Sequence, residues 1–120
     1  MRQISARELQ HYLAKAAQPP LLLDVREPWE FQHCRIEGAQ LMPMGNVRSE
    51  APQLDPDRET VVICHHGIRS FSVARYLETE LGFVNVVNLT GATLTAEAVV
   101  RATRRVLALH ALIRPLESRP

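Results

Sequence analysis

The chain has 120 residues, the length of a single domain, and 46% of them are hydrophobic against 22% charged, as in globular proteins with their own core. The formal net charge of +1 disfavours binding to nucleic acid or to a membrane surface. The sequence starts without the apolar segment of a signal peptide and holds no apolar run of membrane-spanning length, so we expect a cytoplasmic protein.

The two cysteines, Cys34 and Cys64, are too few for a disulfide framework, and a reducing compartment keeps both as thiols. A single bridge between them remains geometrically possible. Neither cysteine has the Cys-x-x-Cys spacing of a zinc motif. His33 and the histidines after Cys64 could add ligands, but adjacent residues seldom bind one ion together. We therefore expect no metal site.

In the first half of the chain, predicted helices and strands alternate. Ser5 and Glu8 form a capping box, which predicts the start of a helix. Pro28 suits the first turn of another helix. The predicted elements are a helix from Ser5 to about Lys15, a buried strand over 21–25, a short helix over 28–33, a short strand over 41–42, and a loop with one helical turn at most over 44–58.

The second half continues the alternation. The predicted elements are a buried strand over 60–63, a helix from Ser70 to Leu81, a strand over 85–89 and a final amphipathic helix within 93–120. Gly82 ends the middle helix. The pattern predicts an α/β fold, an open parallel sheet flanked by helices on both faces, as one domain over residues 1–120.

Cys64 lies at the junction between the strand over 60–63 and a helix that Ser70 is expected to cap. Ligands of open α/β sheets bind beyond the carboxyl ends of the strands, where Cys64 lies. Backbone N–H groups converge at such a junction, and the helix presents the positive end of its dipole there. This environment favours the thiolate, so we predict that Cys64 is a nucleophile.

The loop after Cys64 has the features of an anion site. Only four residues separate Cys64 from Arg69, so the chain must curl and turn its amides inward. Gly67 permits the backbone angle that a tight curl needs, and Arg69 adds a fixed positive charge. The predicted substrate-binding residues are His65, His66, Gly67, Ile68 and Arg69, and the predicted ligand is a small anion.

Several segments match one known family in order and spacing. They are the loop over 64–69 and the segments over 22–27, 29–31 and 36–39, with Pro43. Over residues 1 to about 91, the chain resembles rhodanese-like sulfurtransferase domains. The resemblance implies a central parallel sheet flanked by helices, no cofactor and no metal. It also implies that Cys64 takes a sulfane sulfur from a donor such as thiosulfate and passes it to cyanide or a thiol.

The resemblance further implies roles for individual residues. The amides of 65–69 would hold the outer sulfur of a Cys64 persulfide, and Arg69 would close the loop. Asp24 and Arg26 match the strand-end pair of the family, which supports the site. Related phosphatases and arsenate reductases place one more residue between the cysteine and the arginine, which disfavours phosphate chemistry here.

Several alternatives remain open from the sequence. His65 or His66 could act as a general base or could only shape the rim of the pocket. Cys34 could be a resolving thiol or a buried structural residue. After Gly91 the chain departs from the family, because Ala92 replaces a second glycine and no tryptophan follows.

The divergent segment over 93–120 could cover the sheet within one chain or join two chains as a homodimer. It also leaves open a second function, that of a binding or regulatory module without catalysis.

Overall fold

Five strands and four α-helices make up the computed structural model, which describes residues 1–90. The strands are β1 (Arg2–Ser5), β2 (Leu21–Asp24), β3 (Gln40–Leu41), β4 (Thr60–Ile63) and β5 (Val86–Thr90). The helices are α1 (Ala6–Lys15), α2 (Pro28–His33), α3 (Val47–Glu50) and α4 (Ile68–Glu80), and short 3₁₀ turns flank α3 at Met44–Asn46 and Ala51–Gln53. All neighbouring strands are parallel, in the order β1-β5-β4-β2-β3.

The central strands β2, β4 and β5 are buried on both faces, and their successive side chains point alternately into two core clusters. One core cluster contains Leu21, Leu23, Val62, Cys64 and Val86 with Val73 and Leu77 of α4. The other contains Leu22, Val61, Ile63, Val87 and Leu89 with Leu9 and Leu13 of α1. Full burial of a leucine such as Leu23 contributes roughly 1.5–3 kcal/mol. The predicted α/β fold with helices on both faces is confirmed.

Local signals place the first helices where the sequence predicts them. The Ser5 hydroxyl accepts the Glu8 N–H at 3.1 Å, and the Glu8 carboxylate accepts the Ser5 N–H at 2.9 Å. The capping box is therefore formed, and α1 ends at Lys15 as expected. The prediction of a helix over 28–33 is also confirmed, with Pro28 in its first turn.

The start of α4 corrects the prediction that Ser70 caps this helix. The helix begins at Ile68, and its N-cap is Gly67, with a φ of 82°. This left-handed backbone angle turns the chain straight from the loop into the helix, which glycine does without strain. Ser70 instead lies in the first turn of α4 and is fully buried. The helix ends at Glu80, one residue before the predicted end.

Other boundaries also differ from the sequence-based expectation. Strand β1 was not predicted, and the segment over 44–58 is more helical than expected. Strands β3 and β5 are each displaced by one residue, and β2 ends at Asp24 rather than Val25. The predicted helix within 93–120 and its dimer contact lie outside the described residues. Within residues 1–90, no helix has both the length and the apolar character needed to cross a membrane.

A buried ion pair joins the end of β2 to the end of α2. The Arg26 guanidinium donates to both carboxylate oxygens of Asp24, at 2.8–3.1 Å, and to the Cys34 carbonyl at 2.6 Å. Asp24 and Arg26 are 0% and 2% exposed. Because an unpaired charge is very costly in such surroundings, each residue requires the other.

Replacing Arg26 by methionine tests this requirement. Arg26→Met leaves the Asp24 carboxylate buried without its counterion, and we expect the free energy of unfolding to fall by about 3–5 kcal/mol. Urea denaturation measures it, with Arg75→Met as the control, because Arg75 is exposed on α4. A loss no larger than that of the control would contradict a structural role for the pair.

Candidate active site

Cys64 lies between β4 and α4, and its sulfur accepts hydrogen bonds from the start of α4. The Gly67 N–H donates to Sγ at 3.1 Å and the Ser70 N–H donates at 3.2 Å. Cys64 is 1% exposed. The sulfur therefore takes the place of a capping side chain, since it satisfies N–H groups that have no partner within the helix.

The hydrogen bonds to the sulfur favour its ionised form. Burial by itself raises the pKa of Cys64, because it penalises the thiolate. The Ser70 hydroxyl and the backbone N–H groups of Ser70, Gly67 and His66 act in the opposite direction and outweigh burial. The pKa of Cys64 is therefore lowered from its ordinary value, which is the environment of a reactive cysteine.

A buried polar chain leads from Cys64 to β5. The Ser70 Oγ lies 3.2 Å from Sγ, and the Ser70 hydroxyl donates to Oδ1 of Asn88. The Nδ2 of Asn88 donates to the Gly67 carbonyl at 3.3 Å and to Gln3 Oε1 at 3.2 Å. The sequence analysis missed Asn88, although a polar residue inside the apolar run over 86–89 was a usable signal.

Arg69 forms a salt bridge that the sequence analysis did not anticipate. Its guanidinium donates to both carboxylate oxygens of Glu30 on α2, at 2.7 and 3.1 Å. This hydrogen bonding lowers the pKa of Glu30 to about 2, against a smaller opposing effect of burial. It also raises the pKa of Arg69. Arg69 was expected to close the loop over an anion, and that role stays a prediction.

The remaining loop side chains form the outer part of the site. His65 is half-buried and His66 is exposed, and their rings pack edge to face with centroids 4.2 Å apart. Ile68 is 73% exposed. Of these three residues, His66 contributes a backbone N–H to the sulfur. Their binding of substrate stays a prediction, as does a base role for either histidine.

The second cysteine is separated from the first by the sheet. Cys34 packs against the cluster that includes α1, whereas Cys64 belongs to the cluster that includes α4. This placement favours a structural role for Cys34 over that of a resolving thiol, and the two thiols are not bridged. In the described part of the chain, no group of three or more candidate ligands could hold a metal ion.

The low pKa of Glu30 leads to a prediction about stability and pH. Above the ordinary pKa of 4.5, the salt bridge with Arg69 stabilises the fold fully, and this contribution disappears as the pH falls towards about 2. Because Arg69 is 35% exposed, we expect the contribution to be on the order of 1 kcal/mol. Glu30→Gln removes it at neutral pH and flattens the loss of stability in acid.

Denaturation curves between pH 7 and pH 2 measure this difference. The matched control is Glu80→Gln, a change at an exposed glutamate at the end of α4. Equal pH dependence of stability for Glu30→Gln and the wild type would show that the Glu30–Arg69 salt bridge does not contribute to the loss of stability in acid.

Known proteins of related sequence include proteins named sulfurtransferases. The chain is 35% identical over 97 residues to the putative sulfurtransferase YtwF of Bacillus subtilis, covering 81% of this chain and 91% of that protein. It is 39% identical over 70 residues to the thiosulfate sulfurtransferase GlpE of Shewanella oneidensis, covering 58% of this chain and 68% of that protein. Other relatives are longer. One is the rhodanese-like/PpiC domain-containing protein 12, chloroplastic, of Arabidopsis thaliana, which is 38% identical over 74 residues. The match covers 58% of this chain but only 24% of that protein.

Solved structures of rhodanese-like proteins also resemble this chain. The rhodanese-like domain protein of Staphylococcus aureus superposes with a TM-score of 0.69 at 28% identity, covering 77% of this chain and 87% of that one. Residues 5–94 match the rhodanese-like domain family, which is most of the chain and includes Cys64 and its loop. This match confirms the resemblance carried by the segments around Asp24, Trp29 and Cys64. The chain therefore belongs to the family of rhodanese-like domains, whose members include proteins named sulfurtransferases.

Proposed function

We propose that this protein is a sulfurtransferase that carries a sulfane sulfur on Cys64. The single observation that carries the proposal is the sulfur at the start of α4, held by backbone N–H groups with its pKa lowered. Such surroundings stabilise a thiolate before attack and an anionic outer sulfur after it. Thiosulfate is the donor we propose, and cyanide or a small thiol is the acceptor.

The two steps balance without a cofactor. The Cys64 thiolate attacks the outer sulfur of thiosulfate, a new S–S bond forms at Sγ, and sulfite leaves with the electron pair of the broken bond. The acceptor then attacks the outer sulfur of the persulfide. The bond to Sγ breaks, and its electron pair returns to Cys64 as the thiolate.

The surroundings of Cys64 suit a small anionic donor. The nucleophile is 1% exposed, so a compact molecule reaches it more readily than a bulky ester. The spacing of four residues between Cys64 and Arg69 gives a tighter loop than that of the related phosphatases. The names of YtwF and GlpE support sulfur chemistry in the same family.

Intact mass after incubation with thiosulfate tests the proposal. We expect the wild-type protein to gain the mass of one sulfur atom and to lose it again when cyanide is added. Cys64→Ser should gain nothing, whereas Cys34→Ser is the matched control and should gain the sulfur normally. An unmodified wild-type protein that hydrolyses a phosphate ester would overturn the proposal.

Arg69 provides a second test. Arg69→Ala removes the fixed charge near the sulfur and leaves the backbone N–H groups in place. We expect kcat/KM with thiosulfate to fall by a factor that corresponds to about 2–4 kcal/mol, as for the loss of one preorganised donor. Arg75→Ala, which changes an exposed arginine of the same helix, should leave it unchanged. Equal turnover in both variants would show that the backbone alone holds the anion.

A further inference from the structure

We propose that Asn88 is a positioning residue of this site. Its amide oxygen holds the Ser70 hydroxyl beside Cys64 and competes with the Cys64 sulfur for the hydroxyl proton of Ser70. The inference rests on the proposed function only in that Cys64 is the nucleophile. Asn88 lies on β5, where its neighbours in the strand are apolar, and it is 1% exposed. A polar side chain in such surroundings is costly unless all its groups are hydrogen-bonded.

The orientation of the Asn88 amide follows from its partners. The Gly67 carbonyl can only accept, so the group of Asn88 that faces it at 3.3 Å must be the NH₂. The same NH₂ also donates to Gln3 Oε1 at 3.2 Å. Oδ1 must therefore face Ser70, where it too can only accept.

This orientation decides how the Ser70 hydroxyl is used. With Cys64 as a thiol, the Ser70 hydroxyl donates to Asn88 Oδ1, and its oxygen accepts the S–H at 3.2 Å. With Cys64 as a thiolate, the sulfur is an acceptor only, and the one Ser70 proton has two competing acceptors. The hydroxyl can therefore donate to the thiolate only when it turns away from Asn88. The Ser70 and Gly67 N–H groups need no such turn.

Asn88 also connects the site to the sheet. Its backbone lies in register with Val62 of β4 on one side and Gln3 of β1 on the other. It also donates a hydrogen bond to the carbonyl of Gly67, the N-cap residue of α4. The Asn88 side chain thus connects both the Ser70 hydroxyl and the N-cap of α4 to a strand that is paired on both sides.

Other charged groups near Cys64 stay unchanged in the test below. They are Arg69 of α4 with its partner Glu30 of α2, the Asp24–Arg26 pair at the end of β2, and His65 and His66 of the loop. Their electrostatic effect on Cys64 is therefore common to all the variants compared.

Two substitutions of Asn88 with opposite expected effects test the proposal. Asn88→Leu keeps the bulk but removes the competing acceptor, so the Ser70 proton turns freely to the thiolate. Asn88→Asp supplies a stronger acceptor and a negative charge. Ultraviolet absorbance of the thiolate, titrated against pH in a Cys34→Ser background, should have its midpoint at lower pH for Asn88→Leu and at higher pH for Asn88→Asp.

The expected size of the change in the thiolate fraction follows from the free energy of one hydrogen bond. Below the midpoint, Asn88→Leu should raise the thiolate fraction by about threefold. In a Ser70→Ala background the same substitution should have no effect, because the hydroxyl that transmits it is absent. Asn88→Ala lacks the same polar atoms and carries the same prediction, so the test stands even where the leucine variant does not fold.

Two outcomes would overturn the role of Asn88. One is a shift of both variants in the same direction, as loss of packing alone would produce. The other is an effect of Asn88→Leu that persists in Ser70→Ala. Because the titration uses no sulfur donor, these outcomes are independent of the thiosulfate experiment, and a protein without sulfur transfer could still show the predicted shifts.

Discussion

The site depends on the bonding of the Cys64 sulfur to the start of α4. A helix begins with N–H groups that have no partner within the helix, and burying them without an acceptor is unfavourable. The sulfur accepts those of Gly67 and Ser70. The same bonds that complete the helix also favour the thiolate, so one set of contacts serves both the fold and the proposed reactivity of Cys64. The left-handed backbone angle at Gly67 is part of this arrangement, because the chain turns there and brings the N–H groups of Gly67 and Ser70 to the sulfur.

Three polar contacts hold the elements around the sulfur. The Arg26–Asp24 pair fastens α2 to the end of β2, and the Arg69–Glu30 salt bridge fastens α2 to the start of α4. Asn88 fastens the same start of α4 to β5. Each contact joins a helix terminus or loop to a neighbour that packing has already placed. The loop is thus held on both sides by hydrogen-bonded groups, which limits how far its N–H groups can move.

The predictable parts of the fold are those in which local chemistry decides the outcome. The capping box of α1 and the apolar run of β4 specify their own structure, and both were predicted correctly. Strand β1 was missed because it is short and largely exposed, and it exists through its pairing with β5. The start of α4 was placed at Ser70 because a capping residue is expected to have a polar side chain, whereas here a sulfur from outside the helix accepts the bonds.

Sequence alone located the candidate site, because Cys64, Gly67 and Arg69 lie within six consecutive residues after a buried strand. It also determined the α/β fold, because the alternation of apolar runs requires a sheet covered on both faces. Tertiary structure decided the partners of that loop. Glu30 meets Arg69, and Asn88 meets Ser70, across 39 and 18 positions of the chain. Helix packing and strand register bring these groups together, and neither leaves a local signal in the sequence around Cys64.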